Sequence, residues 1–283
     1  VKHFYEAVQG QILYHYTSVE AAEAILQSNV LRLSEFSMMN DKSEYLYAKS
    51  KFIEAYQNRE VWIEEVPRFL VNIKLITHEP ATVMMIGCFT EDPDDAGLWD
   101  RYADGGKGCV LGLDAYWLAE RAGIAIRRVS YDPDYLRDFV NAGLAMLQSR
   151  YEENPEDRDE LAELATWFVL DLYAFKDPRF RSEMEIRISR LTITDSKAEY
   201  GLFDSGGNRS DGDETPALAV QQREGHYGPV RFVELPLWEE SYRTAVKSVG
   251  FGPNVDPGME ARVKASASAL GDITNWRSDL PLR

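Results

Sequence analysis

GCFTEDPDDAGLWDRYADGGKGCVLGLD, Gly87 to Asp114, is the stretch that decides the fold. It begins inside a buried apolar run, Val83 to Thr90, that reads as a strand. An acidic loop, EDPDDAG, follows. Leu98 to Ala103 then spaces as a short helix, and Asp104-Gly105-Gly106-Lys107-Gly108 reads as a turn. Cys109 to Leu113 is a second buried strand, and Asp114 caps a helix over Tyr116 to Arg121. Strands and helices do not alternate strictly, as a parallel sheet requires, so the chain falls in the α+β class.

Upstream, Ile12 to Tyr16 is a short strand, and Ser18 caps a helix over Glu20 to Leu26. Val30 to Ser34 alternates as a second strand. Asn40-Asp41 opens a helix through Lys51 and Tyr56, and Trp62 to Ile76 continues in helical style with a break at Pro67. Downstream, Ile124 to Tyr131 is strand-like. Tyr135 to Arg150 and Glu160 to Ala174 form a helical hairpin joined by EENPEDRDE, an insertion at about 132–175 within a single domain of residues 1–283. Glu183 to Ile193, EMEIRISRLTI, alternates as a half-buried strand. Asp204 to Pro216 has the composition of a flexible surface loop. Val230 to Leu235 and Val246 to Phe251 are later strands, and Glu260 to Leu270 is a last helix.

With 45% hydrophobic residues, 283 positions bury one large core. A net charge of −16 disfavours general affinity for phosphate backbones. A local basic groove stays open, because Arg179, Arg181, Arg187 and Arg190 cluster beside Lys176. Cys88 and Cys109 form no C-x-x-C pair, which excludes a cysteine zinc site and leaves two reduced core thiols. No run reaches transmembrane length and VKHFYEAVQG lacks a signal core, so the expected setting is cytoplasmic, away from membranes.

Four constellations could carry chemistry. Tyr14-His15-Tyr16-Thr17-Ser18 stands at a strand-to-helix junction, where His and hydroxyls can meet a ribose or amide. The competing reading is a core His beside a capping Ser. Phe89 with Trp99 and Tyr102 could wall an aromatic slot, since Trp99 and Tyr102 lie three apart on a helix; the alternative is simple helix-to-sheet packing. Glu183, Glu185 and Arg187 would share one strand face, as a solvated edge or an acid/base site. Met39-Asn40-Asp41-Lys42-Ser43-Glu44 suits a helix cap better than a magnesium site. His3, His78 and His226 take no role, and no phosphate-cradling loop is present.

As a set, LYHYTS, AILQSNVLRLS, MNDKSE, GCFTED, LWDRYADGGKGCVLGLD, FKDPRFRSEMEIRI and SDLPLR resemble a bacterial family of unassigned function, domain-of-unknown-function family twenty-nine seventy-one, from Leu13 to Arg283. A more distant resemblance is to ADP-ribosyltransferases of the histidine–tyrosine–glutamate type. His15, Tyr16, Thr17 and AILQSNVL match their first strand and helix in order and spacing, with Tyr16 where that type has a small residue. Phe89 and Tyr102 fall at their aromatic places, and Glu183-x-Glu185 is similar to their two-glutamate strand.

That resemblance implies a split mixed β-sheet core flanked by helices and NAD as co-substrate. Glu185, Glu183 and Tyr102 would be catalytic. His15, Tyr16, Thr17, Phe89, Trp99 and Arg187 would hold the cofactor. Either glutamate is eligible as the key carboxylate, with Glu185 favoured. The implied reaction is ADP-ribosyl transfer to RNA, DNA or protein, in a toxin or anti-phage effector with an antitoxin or trigger partner. Alternatives are a nucleotide-binding sensor without turnover, an NAD glycohydrolase, and a metal-dependent nuclease using Asp41, Glu44, Glu183 and Glu185.

Overall fold

The computed structural model describes residues 3–38, 42–57, 82–209, 212–225 and 228–282. The expectations for Trp62 to Ile76, Met39 to Asp41, His78 and His226 lie outside them.

Local capping chemistry sets most helix starts. Strand β1 (Ile12–Thr17) runs into α1 (Val19–Ser28), whose first turn is capped by the Ser18 hydroxyl accepting from the Ala21 amide at 3.2 Å. The helix stops at Asn29 in a left-handed conformation, and β2 (Val30–Glu35) follows. Helix α2 (Lys42–Gln57) precedes β3 (Thr82–Phe89). Asp95 caps α3 (Ala96–Tyr102) through the Leu98 amide at 2.8 Å, and Asp114, ending β4 (Cys109–Asp114), caps α4 (Ala115–Arg121). Strand β5 (Ala125–Arg128) leads to the hairpin α5 (Pro133–Glu153) and α6 (Arg158–Asp171). Then come β6 (Ile186–Thr194), β7 (Leu202–Asp204), β8 (Gly207–Asn208), β9 (Glu214–Thr215), β10 (Val220–Gly225), β11 (Gly228–Pro236), β12 (Val246–Phe251), α7 (Pro257–Leu270) and β13 (Thr274–Arg277).

The strands form two main sheets. One is four-stranded in the order β1-β4-β12-β13, antiparallel except for the parallel β12–β13 pair. The other runs β10-β11-β2-β3-β6-β5, antiparallel throughout, with β7 beside β6. Just past the end of β3 the sheets touch: Tyr14 and Thr90 exchange backbone hydrogen bonds of 2.8 and 3.0 Å. The fold is therefore mixed α+β.

Each sheet face has its own apolar set. Val83, Met85, Phe89, Ile186 and Ile188 join the main core with α1, α4 and α7. Met84, Ile86 and Cys88 face the other way, onto Phe36 and Tyr173. The helices α2, α5 and α6 share a third cluster built on Phe52, Leu144 and Phe168. Among the described residues no helix is long and apolar enough to cross a membrane.

Three expectations are corrected. The strand expected from Glu183 starts only at Ile186, because Met184 takes φ +42° and Glu183 ends a 3-10 turn, Pro178–Glu183. The loop expected to be flexible at Asp204 to Pro216 is pinned where described: Arg190 bonds Asp204 at 2.8 Å, Thr215 at 3.0 Å and the Pro216 carbonyl at 2.8 Å. Short strands β8 and β9 pair within it. The basic groove does not form, because Arg187 and Arg190 are buried in separate ion pairs and Arg179 pairs with Asp177.

Gly108 holds the turn between α3 and β4 against β1. A Cβ there would sit 2.3 Å from the Thr17 carbonyl oxygen and 2.9 Å from Ala103 backbone atoms. Backbone cannot swing aside as a side chain can, so Gly108→Ala should destabilise by about 1–3 kcal/mol, the usual cost of overpacking. Thermal unfolding checks this; an unchanged midpoint would mean that β1 and this turn separate freely.

Candidate functional site

Where the two sheets part, two carboxylates close on one lysine. Asp177 and Pro178 start the 3-10 turn, with the Asp177 carboxylate accepting from the Arg179 amide at 2.9 Å. The turn folds the chain back, so Lys176 at its start faces Glu183 at its end. Lys176 Nζ donates to Glu183 Oε2 at 2.5 Å and to Glu185 Oε2 at 3.0 Å. Arg187 grips Glu185 with a fork, Nε to Oε1 at 2.7 Å and Nη2 to Oε2 at 3.0 Å. Its Nη1 donates to the Tyr173 carbonyl at 2.7 Å, and its guanidinium lies 4.9 Å from the centre of the Phe36 ring. All four charged side chains are buried.

The two glutamates differ in what lies outward of them. Glu185 is backed by the Cys88 thiol, and its amide donates to the Tyr131 hydroxyl at 3.0 Å. Burial pushes its pKa up, but Arg187 and Lys176 together outweigh burial and hold it at about 2. Burial, then the Glu185 charge, pushes the Cys88 thiol well up, so it stays protonated. Glu183 instead takes the Tyr102 hydroxyl at 2.7 Å, with Arg101 Nη1 at 4.0 Å. Tyr102 is 42% exposed, so this partner borders solvent. Burial and then Glu183 raise the Tyr102 pKa, so its hydroxyl remains a donor.

His15 sits on the far side of β3. Its Nδ1 is 2.9 Å from the Cys88 carbonyl oxygen, which can only accept, so Nδ1 carries the proton and Nε2 is left as an acceptor. Burial lowers its pKa, which keeps the ring neutral. The ring centre lies 5.3 Å from that of Phe89.

The fold thus brings Tyr102, Glu183, Glu185 and Arg187 together, with His15 one strand away. It does not bring the other expected residues to them. Phe89 lies in the main core, on the sheet face opposite Glu185 and Arg187. Trp99 is fully buried against Tyr16 and Trp276, its indole donating to Asp94 at 2.7 Å. The expected slot between Phe89 and the α3 aromatics is therefore not built, because Trp99 and Tyr102 point to different surroundings. The Tyr16 hydroxyl donates to the Asp92 carbonyl at 3.1 Å and accepts from the Asp95 amide at 2.9 Å, so it secures the acidic loop. Thr17 ends β1, its carbonyl against Gly108. Of the proposed metal set, Asp41 and the Glu44 side chain lie outside the described residues, and Lys176 sits between Glu183 and Glu185.

Sequence reasoning missed Lys176 as the centre of the site, having placed it only in a basic segment. The Asp177-Pro178 pair was the available signal: it marks a turn start between Lys176 and Glu183. Cys88 and Tyr131 had no such signal. The chain matches no protein-family model, no curated protein and no solved structure.

Proposed function

We propose that the Lys176–Glu183–Glu185–Arg187 cluster is the active site of an NAD-dependent ADP-ribosyltransferase-like fold acting on a macromolecular acceptor. The observation that carries this reading is that Tyr102, the hydroxyl partner of Glu183, borders solvent. Tyr102, half in solvent, occupies the oxygen that a ribose hydroxyl could take. Glu185 has no such opening, since Arg187 and Lys176 hold both its oxygens. Glu183 accordingly replaces Glu185 as the carboxylate meeting the ribose, and Glu185 and Arg187 fix the lysine that orients it.

Breaking the nicotinamide–ribose bond sends its electron pair to the nicotinamide ring and leaves positive charge on the ribose. A fixed carboxylate beside that ribose stabilises the developing charge without reorganising. The acceptor's lone pair then bonds the same carbon, and its proton leaves to solvent. His15 Nε2 suits a hydroxyl of the adenosine-side ribose, and the exposed Tyr102 ring suits the face of the nicotinamide. A toxin or anti-phage role, with an antitoxin or trigger partner, is part of this proposal.

A second reading is a nucleotide-binding module without turnover. It is favoured by charge balance, because two cations cancel two carboxylates in a buried, saturated cluster. Incubation with labelled NAD and a cell extract separates the two. Label transfer with nicotinamide release is the expected result, release alone points to a glycohydrolase, and binding with neither supports the module.

A further inference from the structure

Beside the carboxylates opens a pocket of about 260 Å³, lined by Arg128, Val129, Ser130, Tyr131, Asp132 and Arg181. That is below the ~300–1,000 Å³ of sites for drug-sized ligands, so it suits one small group rather than a whole dinucleotide. One wall is hydrogen-bonded to the Glu185 backbone, and the other is the turn that ends at Glu183. On one wall, the Val129 amide donates to the Glu185 carbonyl at 2.9 Å and the Tyr131 hydroxyl accepts from the Glu185 amide. On the other, Arg181 belongs to the turn that ends at Glu183.

The lining has the chemistry of an anion site. Arg181 is exposed, whereas Arg128, 44% exposed, gives both terminal nitrogens to the Glu91 carboxylate at 2.9 Å, so Arg181 is the cation the pocket offers an anion. Asp132, the one acidic lining residue, already accepts from the Asp134 and Tyr135 amides as the cap of α5. Ser130 adds a hydroxyl. A planar guanidinium with a hydroxyl in the same lining matches phosphate oxygens. Met184, exposed at the end of the same turn, offers a soft apolar surface for a base.

Topology separates this pocket from the His15 side. Arg187 on β6 pairs with Cys88 of β3 on one side and Arg127 of β5 on the other. His15 bonds to Cys88, and the pocket continues from β5. A dinucleotide anchored at His15 therefore leaves the pocket to the second substrate.

We infer that this pocket receives one phosphate of a single-stranded nucleic acid, the acceptor in the reaction proposed above. Its role as acceptor rests on that reading; the binding itself does not. One pocket on a chain of net charge −16 predicts weak, local contact rather than broad backbone affinity.

The test is fluorescence-anisotropy titration of a labelled single-stranded RNA tetranucleotide and its DNA counterpart, without NAD. The wild type should bind at least one of them and release it on adding inorganic pyrophosphate. Arg181→Gln should weaken binding about tenfold and reduce the slope of log affinity on log salt by about 0.7, the value for one single-strand phosphate contact. Arg181→Lys should restore part of it. Unfolding midpoints confirm that the variants are folded. Equal binding by wild type and Arg181→Gln, no oligonucleotide binding by wild type, or preferential capture of a phosphoserine peptide would each overturn the proposal. Because NAD is absent, failure here is distinct from failure of NAD turnover.

Discussion

Arg187→Ala should lower the unfolding free energy by about 3–5 kcal/mol, the cost of removing one partner from a buried ion pair. Arg187 is 2% exposed and serves three neighbours at once: the Glu185 fork, the Tyr173 carbonyl and the Phe36 ring. Alanine strips all three and leaves Glu185 shared with Glu183 on a single lysine. Desolvating a carboxylate without its counter-charge is the expensive part, and lost packing adds to it. Urea denaturation reads the loss. The double variant Arg187→Met with Glu185→Leu should recover much of it, since removing both charges also removes the desolvation cost. A loss below about 1 kcal/mol from Arg187→Ala would instead match an exposed pair, with water reaching the carboxylate.

The same fork gives stability a dependence on pH. Glu185 titrates at about 2 in the folded chain against an ordinary 4.5. A carboxyl with a depressed folded value binds protons more readily when unfolded. Its contribution is fully present above the unfolded value and drains away as pH falls from about 4.5 toward 2. The amount is about 3 kcal/mol. Denaturation midpoints between pH 5 and 3 should fall more steeply in the wild type than in Glu185→Gln, which lacks the titrating group. Parallel curves would assign acid sensitivity to other carboxylates.

Much of the fold was legible because its signals are local. Ser18, Asp114 and, in the structure, Asp95, Asp132 and Asp256 cap helices within a few residues of themselves, and apolar runs such as Val246–Phe251 fill strands. Strands β10 and β13 were not legible, since VQQREG and TNWR lie largely exposed and carry no apolar alternation. The site was legible in its residue types but not in its arrangement. Alternation placed Glu183 on the strand face of Glu185, yet one left-handed residue, Met184, ends that periodicity. The carboxylates meet through Lys176 rather than through the strand. Arg187 and Arg190, three apart, fall on opposite sheet faces, so a cluster in sequence became two buried ion pairs. Tyr102 and Glu183 are separated by 81 positions, and only the packing of α3 beside the 3-10 turn joins them.

In the proposed reaction, Glu183→Gln should reduce ADP-ribosyl transfer by about 10²–10³-fold in kcat, the usual loss when one group that stabilises developing charge is removed. The amide keeps the shape and can still accept from Tyr102 or Lys176, but it carries no charge to oppose the ribose cation. Since that charge develops only in the transition state, the KM for NAD should change little. Glu185→Gln should behave differently. It also lowers transfer, but through loss of the fork that fixes Lys176, so its activity loss should come with a lowered unfolding midpoint. Tyr102→Phe gives a third point: it removes the hydroxyl that covers Glu183 while keeping the ring, so stacking survives and transfer should fall far less than in Glu183→Gln. Nicotinamide release and label transfer, measured beside urea denaturation, separate these cases. If Glu183→Gln transfers label at the wild-type rate while Glu185→Gln is inactive yet equally stable, the reacting carboxylate is Glu185. The exposed partner of Glu183 would then be a surface contact rather than an opening for substrate.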